Sequence, residues 1–295
     1  MVQHDRLQQT LMHLFMILLV LCCVLPFLLM VSASFTEEAT LVRDGYRFIP
    51  KKFSLETYTY LFKSAKTIFR GYGMTILVTV LGTILNLTLT ILFAYPLSRK
   101  DLPYRSVISF FLFFTMLFNG GLVPTYMMYS NVFHIKNTIW ALIVPGLMMN
   151  AFYVIMMRSF FTASIPDALV EAARLDGASE WKVLLKVVLP LSKPMIVTLV
   201  LMVGLTYWND WMNGLYYVND QSLYTVQMIL NNMINNIQFL SKNASLFGAE
   251  AANLSMPTVG IRMGIAVIAV LPVLVAYPFL QKYFVKGIVI GGVKG

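Results

Sequence analysis

The sequence predicts an all-α membrane protein with six transmembrane helices, and three observations carry that prediction. Hydrophobic residues make up 58% of the 295-residue chain and charged residues only 12%, about half the charged share usual in a soluble domain. Mean hydropathy is +0.74. The apolar residues gather in runs long enough to cross a bilayer, and six spans of about 20 residues would use roughly 120 and leave sizeable loops. This composition excludes a soluble globular enzyme and a disordered chain. The net charge of +9 raises the question of nucleic acid. The basic groups fall between apolar runs, however, which points to membrane lipid and to no nucleic-acid partner.

The spans follow one another in a single transmembrane domain over 1–295. The first, 14–33, is preceded by Arg6 and ends near Ser32-Ala33-Ser34, which has the look of a cleavage site. Its apolar run of about 18 residues exceeds the 7–15 of a signal core, so it is read as an uncleaved span. Cys22 and Cys23, the only cysteines, are neighbours within it. Adjacent helical positions face different ways, so neither a structural disulfide nor a metal site follows.

The second span covers 74–97 and is closed by Ser98-Arg99-Lys100-Asp101 and Pro103. The third covers 106–126, with Gly120-Gly121 and Pro124 loosening its far end. The fourth, 138–157, has Pro145-Gly146 inside it. Breakers within a span are tolerated where protein neighbours or a water-filled path satisfy the freed backbone. The fifth covers 195–217. The sixth covers 263–283, holds Pro272 and Pro278, and leads into a glycine-rich tail. Residues 35–70 are polar; within them Phe53-Ser54-Leu55-Glu56, followed by Tyr58, Leu61, Phe62 and Ala65, predicts a short amphipathic helix on the membrane surface. With both termini cytoplasmic, Lys and Arg number twelve on that side against ten opposite, which decides nothing; setting the long 35–70 loop aside gives twelve against three, the direction the short-loop charge rule favours.

The informative polar stretch is 158–194. Ser164-Ile165-Pro166-Asp167 reads as a helix start, a cap with an acid at the third position and proline in the first turn. The helix then runs Ala168 to Asp176, and Gly177 stops it. Ser179 can cap a second helix, Glu180 to Leu189, which ends at Pro190. Helix, glycine turn and helix make a compact knob between two spans. Its first helix brings Leu169, Ala172 and Ala173 near one face, small enough for another protein's backbone to approach. The plainer reading is a solvated loop that happens to be helical.

At this point the chain resembles a family. Glu171-Ala172-Ala173, Gly177, Val187 and Leu189-Pro190 fit the EAA loop of the membrane subunits of ABC importers, with valine at 187 where isoleucine is commoner. The tail Phe284-Val285-Lys286-Gly287 and Gly291-Gly292-Val293-Lys294-Gly295 is similar to the carbohydrate-uptake branch, in particular its maltose-permease-like smaller subunits. Gly120 to Thr125, Asn137 to Ala141 and Tyr207-Trp208-Asn209-Asp210-Trp211 resemble the sub-branch importing complex or acidic oligosaccharides, such as the alginate importer's smaller permease.

The resemblance implies a type I importer permease in a bacterial cytoplasmic (inner) membrane, multi-pass, with both termini cytoplasmic. It implies a second homologous permease in a heterodimer, two ATPase subunits, an extracytoplasmic solute-binding protein and an oligosaccharide substrate. No Gly-x-x-x-x-Gly-Lys-Ser/Thr loop occurs in the chain, so ATP and Mg belong to the partner ATPases and this subunit is non-catalytic. Glu171, Ala172, Ala173, Arg174, Asp176, Gly177, Leu189 and Pro190 are the ATPase-coupling candidates, with Glu171 facing basic groups in the ATPase cleft. Arg174 and Asp176 are either further docking contacts or surface charges. Gly291, Gly292 and Lys294 are candidate tail contacts to the ATPase.

For the translocation path, Asp210 is the ionisable residue placed inside a span, flanked by Trp208, Asn209, Trp211 and Asn213. Such a residue is expected to face the bundle interior, and indoles, amides and carboxylates suit sugar rings and hydroxyls. Equally, the tryptophans fit an interfacial belt. Asn86, Asn119 and Asn150 are weaker path candidates that also fit bonds to neighbouring helices. The 35–70 loop carries seven basic against four acidic residues, favourable to a polyanion, whereas Asp210 would repel uronates. An acidic oligosaccharide is preferred and a neutral one is the alternative. A secondary transporter would carry several intramembrane charges and a repeat. A membrane enzyme would gather His4, His13 and His134, which lie far apart, and neither rival is supported.

Overall fold

The structure, a computed structural model, describes residues 6–242 and 258–292. Helices dominate throughout, and the β contact found among these residues is an isolated antiparallel bridge between Thr36 and Phe53. The chain forms two compact units, residues 1–68 with 230–273 and residues 69–229 with 274–295. Two helical stretches among the described residues are long and apolar enough to cross a membrane alone, Gln9–Ser34 and Ala65–Ser98, and two bent helix pairs are so together.

In the first unit, α1 (Arg6–Ser34) is uncovered along its apolar length, the condition of a helix whose solvent is lipid. Beyond it, Phe35 stacks on Phe53 with ring centroids 5.5 Å apart and on Tyr58 at 4.7 Å. The expected amphipathic helix of the 35–70 loop is α3 (Glu56–Lys63), which buries Leu61 and turns Phe62 outward. A second short helix, α2 (Glu38–Asp44), was not expected. Its Glu38 carboxylate accepts the backbone N–H groups of Val259 at 2.8 Å and Gly260 at 2.9 Å. These are orphan donors at a helix start, so a residue some 220 positions away caps the last helix.

In the second unit, α4 (Ala65–Ser98) passes straight through Pro96. The expected third span, 106–126, is not one helix. It divides into α5 (Arg105–Leu117) and α6 (Leu122–Met127), the latter continued by a π turn over Met128–Val132, with a bend of 111°. Gly121 sits at the break with φ +85° and gives its N–H to Asn119 Oδ1 at 2.8 Å. The expected fourth span, 138–157, is likewise broken, into α7 (Trp140–Ile143) and α8 (Ala151–Ser164). Pro145 removes a donor, Gly146 adopts φ +69°, and Asn150 caps α8 by accepting Phe152 N–H at 2.9 Å.

The polar stretch folds as α9 (Asp167–Leu175), α10 (Glu180–Val183), a π turn over Leu184–Val188 and α11 (Leu189–Leu191). The expected fifth span, 195–217, is α12 (Lys193–Asn209), bent 82° from the segment before it, and then α13 (Met212–Tyr217), parted at Asp210–Trp211. The helix α14 (Val226–Lys242) was not expected. The last helix, α15 (Thr258–Gly292), is longer at both ends than the expected 263–283 and takes in most of the glycine-rich tail.

The break between α7 and α8 frees carbonyls that a bilayer would leave unsolvated. Three helices supply partners. Tyr207 Oη on α12 donates to Ile143 O at 3.0 Å, Asn213 Nδ2 on α13 to Pro145 O at 3.0 Å, and Asn86 Nδ2 on α4 to Leu147 O at 2.7 Å. Tyr207 reaches its carbonyl because α4 carries glycine where the ring passes: a Cβ on Gly82 would lie 2.5–2.8 Å from three ring carbons. Tyr207 is 1% exposed and anchored by its hydroxyl, so the ring has no room to yield. Gly82→Ala should therefore cost about 1–3 kcal/mol of stability and lower the thermal midpoint of the solubilised protein. Gly73→Ala, whose Cβ meets nothing within 4 Å, should leave the midpoint unchanged or raise it; equal effects of the two would contradict this packing.

Candidate functional site

The hairpin formed by α9 and α10 holds the motif residues, and its turn follows from hydrogen bonding. Gly177 has φ +77° with open space around it, so glycine is required by the backbone and not by crowding. Its N–H donates to Arg174 O at 3.0 Å, and Ala178 N–H to Ala173 O at 3.0 Å. These two bonds are a Schellman stop. The helix start differs from expectation. Ser164 is the last residue of α8, Pro166 occupies the cap position without a side-chain bond, and Asp167 is the acid of the first turn. Ser179 does stand at the cap of α10 but makes no cap bond.

The buried face of α9 is Val170 with half-buried Ala173; of the three residues expected on one face open to a partner, Leu169 and Ala172 are exposed and Ala173 is half-buried. Val170 packs with Val183, Val188 and the α8 residues Val154, Met157 and Phe161. Glu171, Ala172, Leu175 and Asp176 face outward, and Leu175 is 89% exposed. Leu189 is half-buried against the same core, while Pro190 is exposed. Pro190 does not end the helix as expected. The widened π turn before it accommodates a residue with no N–H, and the helix continues to Leu191.

Charged groups fasten this hairpin to the end of α4. Arg174 Nε donates to Glu180 Oε1 at 2.7 Å and its Nη1 lies 3.1 Å from Asp101 Oδ2. Tyr95 Oη donates to Glu180 Oε2 at 2.6 Å, Lys100 Nζ to Asp167 Oδ2 at 2.9 Å, and the Arg99 guanidinium lies 5.0 Å over the Tyr95 ring. Arg174 is thus paired within its own chain, and Asp176 is exposed. Tyr95, Arg99, Lys100, Asp101 and Glu180 were not candidates in the sequence. Their one signal was the charge run closing the second span. A groove of about 600 Å³ remains beside the fastening, lined largely by Leu92, Pro96, Leu102, Trp181 and Leu184.

The Tyr95 hydroxyl first and Arg174 second hold the Glu180 carboxyl below its usual range, and Lys100 does the same for Asp167. A depressed folded value gives stability that is present above the unfolded pKa, about 4.3 for Glu, and lost as pH falls through the folded value. Hydrogen exchange over 167–183, corrected for intrinsic rate, should therefore show constant protection from pH 7 to about 5 and a fall below about 4. Arg174→Ala should weaken protection there even at neutral pH, by about 1 kcal/mol because the pairs are solvent-accessible. Unchanged protection in that variant would show that apolar packing alone holds the hairpin.

The path candidates separate. Asp210 is not inside a continuous helix: it follows α12, and its Oδ1 accepts Met212 N–H at 3.2 Å and Asn213 N–H at 3.4 Å, capping α13. Asn213 is buried in its bond to Pro145 O. Trp208 is half-buried near Tyr72, and Trp211 is exposed. Asn209 and Asp210 alone of the five line a groove of about 390 Å³, together with Leu147, Leu205 and Thr206. The weaker candidates Asn86, Asn119 and Asn150 all serve backbone groups. In the tail, Gly291 and Gly292 end α15, and Lys294 lies outside the described residues.

A helical hairpin stopped by Gly177, fastened beneath a bundle of broken apolar helices, matches a family model over residues 87–290, that of the binding-protein-dependent transport system inner membrane component. The chain belongs to this family. Its relatives share nearly the whole length. It is 38% identical over 99% of both chains to the polygalacturonan/rhamnogalacturonan transport system permease protein YtcP of Bacillus subtilis. It is 39% identical to protein LplC of the same organism, over 92% of this chain and 90% of that one. A solved bacterial ABC transporter involved in the import of the acidic polysaccharide alginate has a chain that matches with a TM-score of 0.79 and 27% identity, covering 96% of this chain and all of that one. Family and fold together make this an all-helical ABC importer permease.

Proposed function

We propose that this chain is one of two different permease subunits in an importer that takes up acidic oligosaccharides, of pectin or alginate type, delivered by an extracytoplasmic binding protein. Likeness over 99% of the chain to a permease named for polygalacturonan and rhamnogalacturonan is the observation that carries the substrate class, and the alginate transporter supports it. Two ATPase subunits bind ATP and Mg and dock on the hairpin from the cytoplasm, the side that also holds both termini. Glu171, Ala172 and Gly177 form the docking surface, since they and Leu175 face outward while Arg174, Leu189 and the buried face of α9 fix the hairpin to its own bundle. A carboxylate at 171 suits paired bonds from a guanidinium. Gly291, Gly292 and Lys294 are further contacts to the ATPase.

Glu171→Ala should leave the assembly intact, because no bond within the described residues depends on that side chain, yet lose about 1–3 kcal/mol at the interface. Gly177→Val forces a β-branched residue into a left-handed turn, at a cost of roughly 1–2 kcal/mol. In both variants ATPase activity should stop responding to the loaded binding protein, and uptake should fall at least roughly tenfold. Native mass of the purified assembly should equal two different permeases and two ATPases. Normal uptake in both variants, or active complexes holding this permease alone, would refute the assignment.

A neutral oligosaccharide is the second reading, favoured by Asp210, whose carboxylate lines the groove with Asn209 and would repel uronates. Reconstituted complex offered a uronate oligomer and a neutral oligomer of equal length should transport the uronate. Transport of the neutral sugar alone would overturn the acidic assignment.

A further inference from the structure

We propose that Arg105 and Arg158 form a site for the phosphate of an anionic phospholipid, whose acyl chains lie along α5. Arg105 opens α5, Arg158 lies on α8, and these two helices pack on each other. Arg158 Nη1 donates to Ser109 Oγ at 2.9 Å, and that hydroxyl donates in turn to Arg105 O at 2.7 Å. Ser109 thereby holds the Arg158 guanidinium against the first turn of α5. Arg105 lies within electrostatic reach of Arg158, and no carboxylate among the described residues pairs with either.

The contrast with neighbouring cations is sharp. Lys100 is paired with Asp167, and Arg174 with Asp101 and Glu180. Neither Arg105 nor Arg158 enters an ion pair among the described residues. Both are half-buried, and two like charges brought together out of bulk water repel more strongly than in it. An anion between them removes that repulsion, and a phosphate suits guanidinium forks.

The source of the phosphate is fixed by what adjoins the arginines. From the same turn, α5 presents Val107, Ile108, Phe110, Phe111 and Phe114, each 39–61% exposed. A soluble anion gains nothing from that surface, whereas a phospholipid needs a cationic head site and an apolar rail together. A zwitterionic head carries its own cation and meets the arginines less well.

The test uses the full-length chain in nanodiscs and detergent, with phosphatidylglycerol and phosphatidylcholine as probes. Native mass spectrometry should show phosphatidylglycerol retained in preference. Arg105→Gln and Arg158→Gln should each lower that preference roughly fivefold, and Lys182→Gln, an exposed charge elsewhere, should keep it. Equal thermal midpoints in phosphatidylcholine would show the variants folded. Should Arg158→Gln, which loses its bond to Ser109, not fold, Arg105→Gln alone carries the test, since the Arg105 side chain makes no hydrogen bond among the described residues. An unchanged preference in the folded variants would overturn the site. So would equal stabilisation of the wild type by inorganic phosphate, which would mark a free-anion site.

Discussion

A helix that breaks inside an apolar bundle must find partners for the backbone groups it frees, and that constraint organises this molecule. The carbonyls of Ile143, Pro145 and Leu147 are taken by Tyr207, Asn213 and Asn86 from three other helices. Each partner is buried. A buried carbonyl left without a partner costs several kcal/mol, which is why each of these bonds matters. Polar residues within the spans are therefore first to be explained as backbone partners, and only the remainder as lining for a solute.

One helix joins this bonded break to the α9–α10 hairpin. On α4, Gly82 receives the Tyr207 ring, Asn86 holds the broken segment, and Tyr95 holds Glu180, while Lys100 and Asp101 just beyond its end hold Asp167 and Arg174. The hairpin is thus fastened to the same strut that supports the break. Individually the surface ion pairs are weak. The apolar core shared by Val170, Val183, Phe161 and Leu97 gives the fastening its stiffness.

What the sequence made legible was whatever a local signal determines. Apolar runs marked α1 and α4, the stretches among the described residues long and apolar enough to cross a membrane alone, because span length is set by bilayer thickness. Gly177 marked the hairpin's turn because a left-handed residue favours glycine. Glycine and proline at 120–124 and 145–146 announced trouble in two spans, but whether a breaker loosens a helix or parts it depends on partners elsewhere. Asn86 and Asn213 sit 61 and 68 residues from the carbonyls they bond, so composition could not distinguish them from path residues. Arg174 was ambiguous for the same reason, its partner Asp101 lying 73 residues earlier, just beyond the end of α4. The helix α14 was missed because its asparagine-rich stretch, Asn231-Asn232 and Asn235-Asn236, reads as loop, while Met228, Ile229, Leu230 and Ile237 bury its other face.

Hairpin and α4 are expected to move as one body. Spin labels at Phe93→Cys on α4 and Asp176→Cys beside the hairpin turn, both exposed positions, report it directly by pulsed dipolar spectroscopy with Cys22 and Cys23 replaced by serine. The distance distribution should keep its centre and width between the nucleotide-free and ATP-trapped complexes. A shifted or broadened distribution on ATP binding would mean that the hairpin swings independently of α4 and that the fastening does not hold the two together.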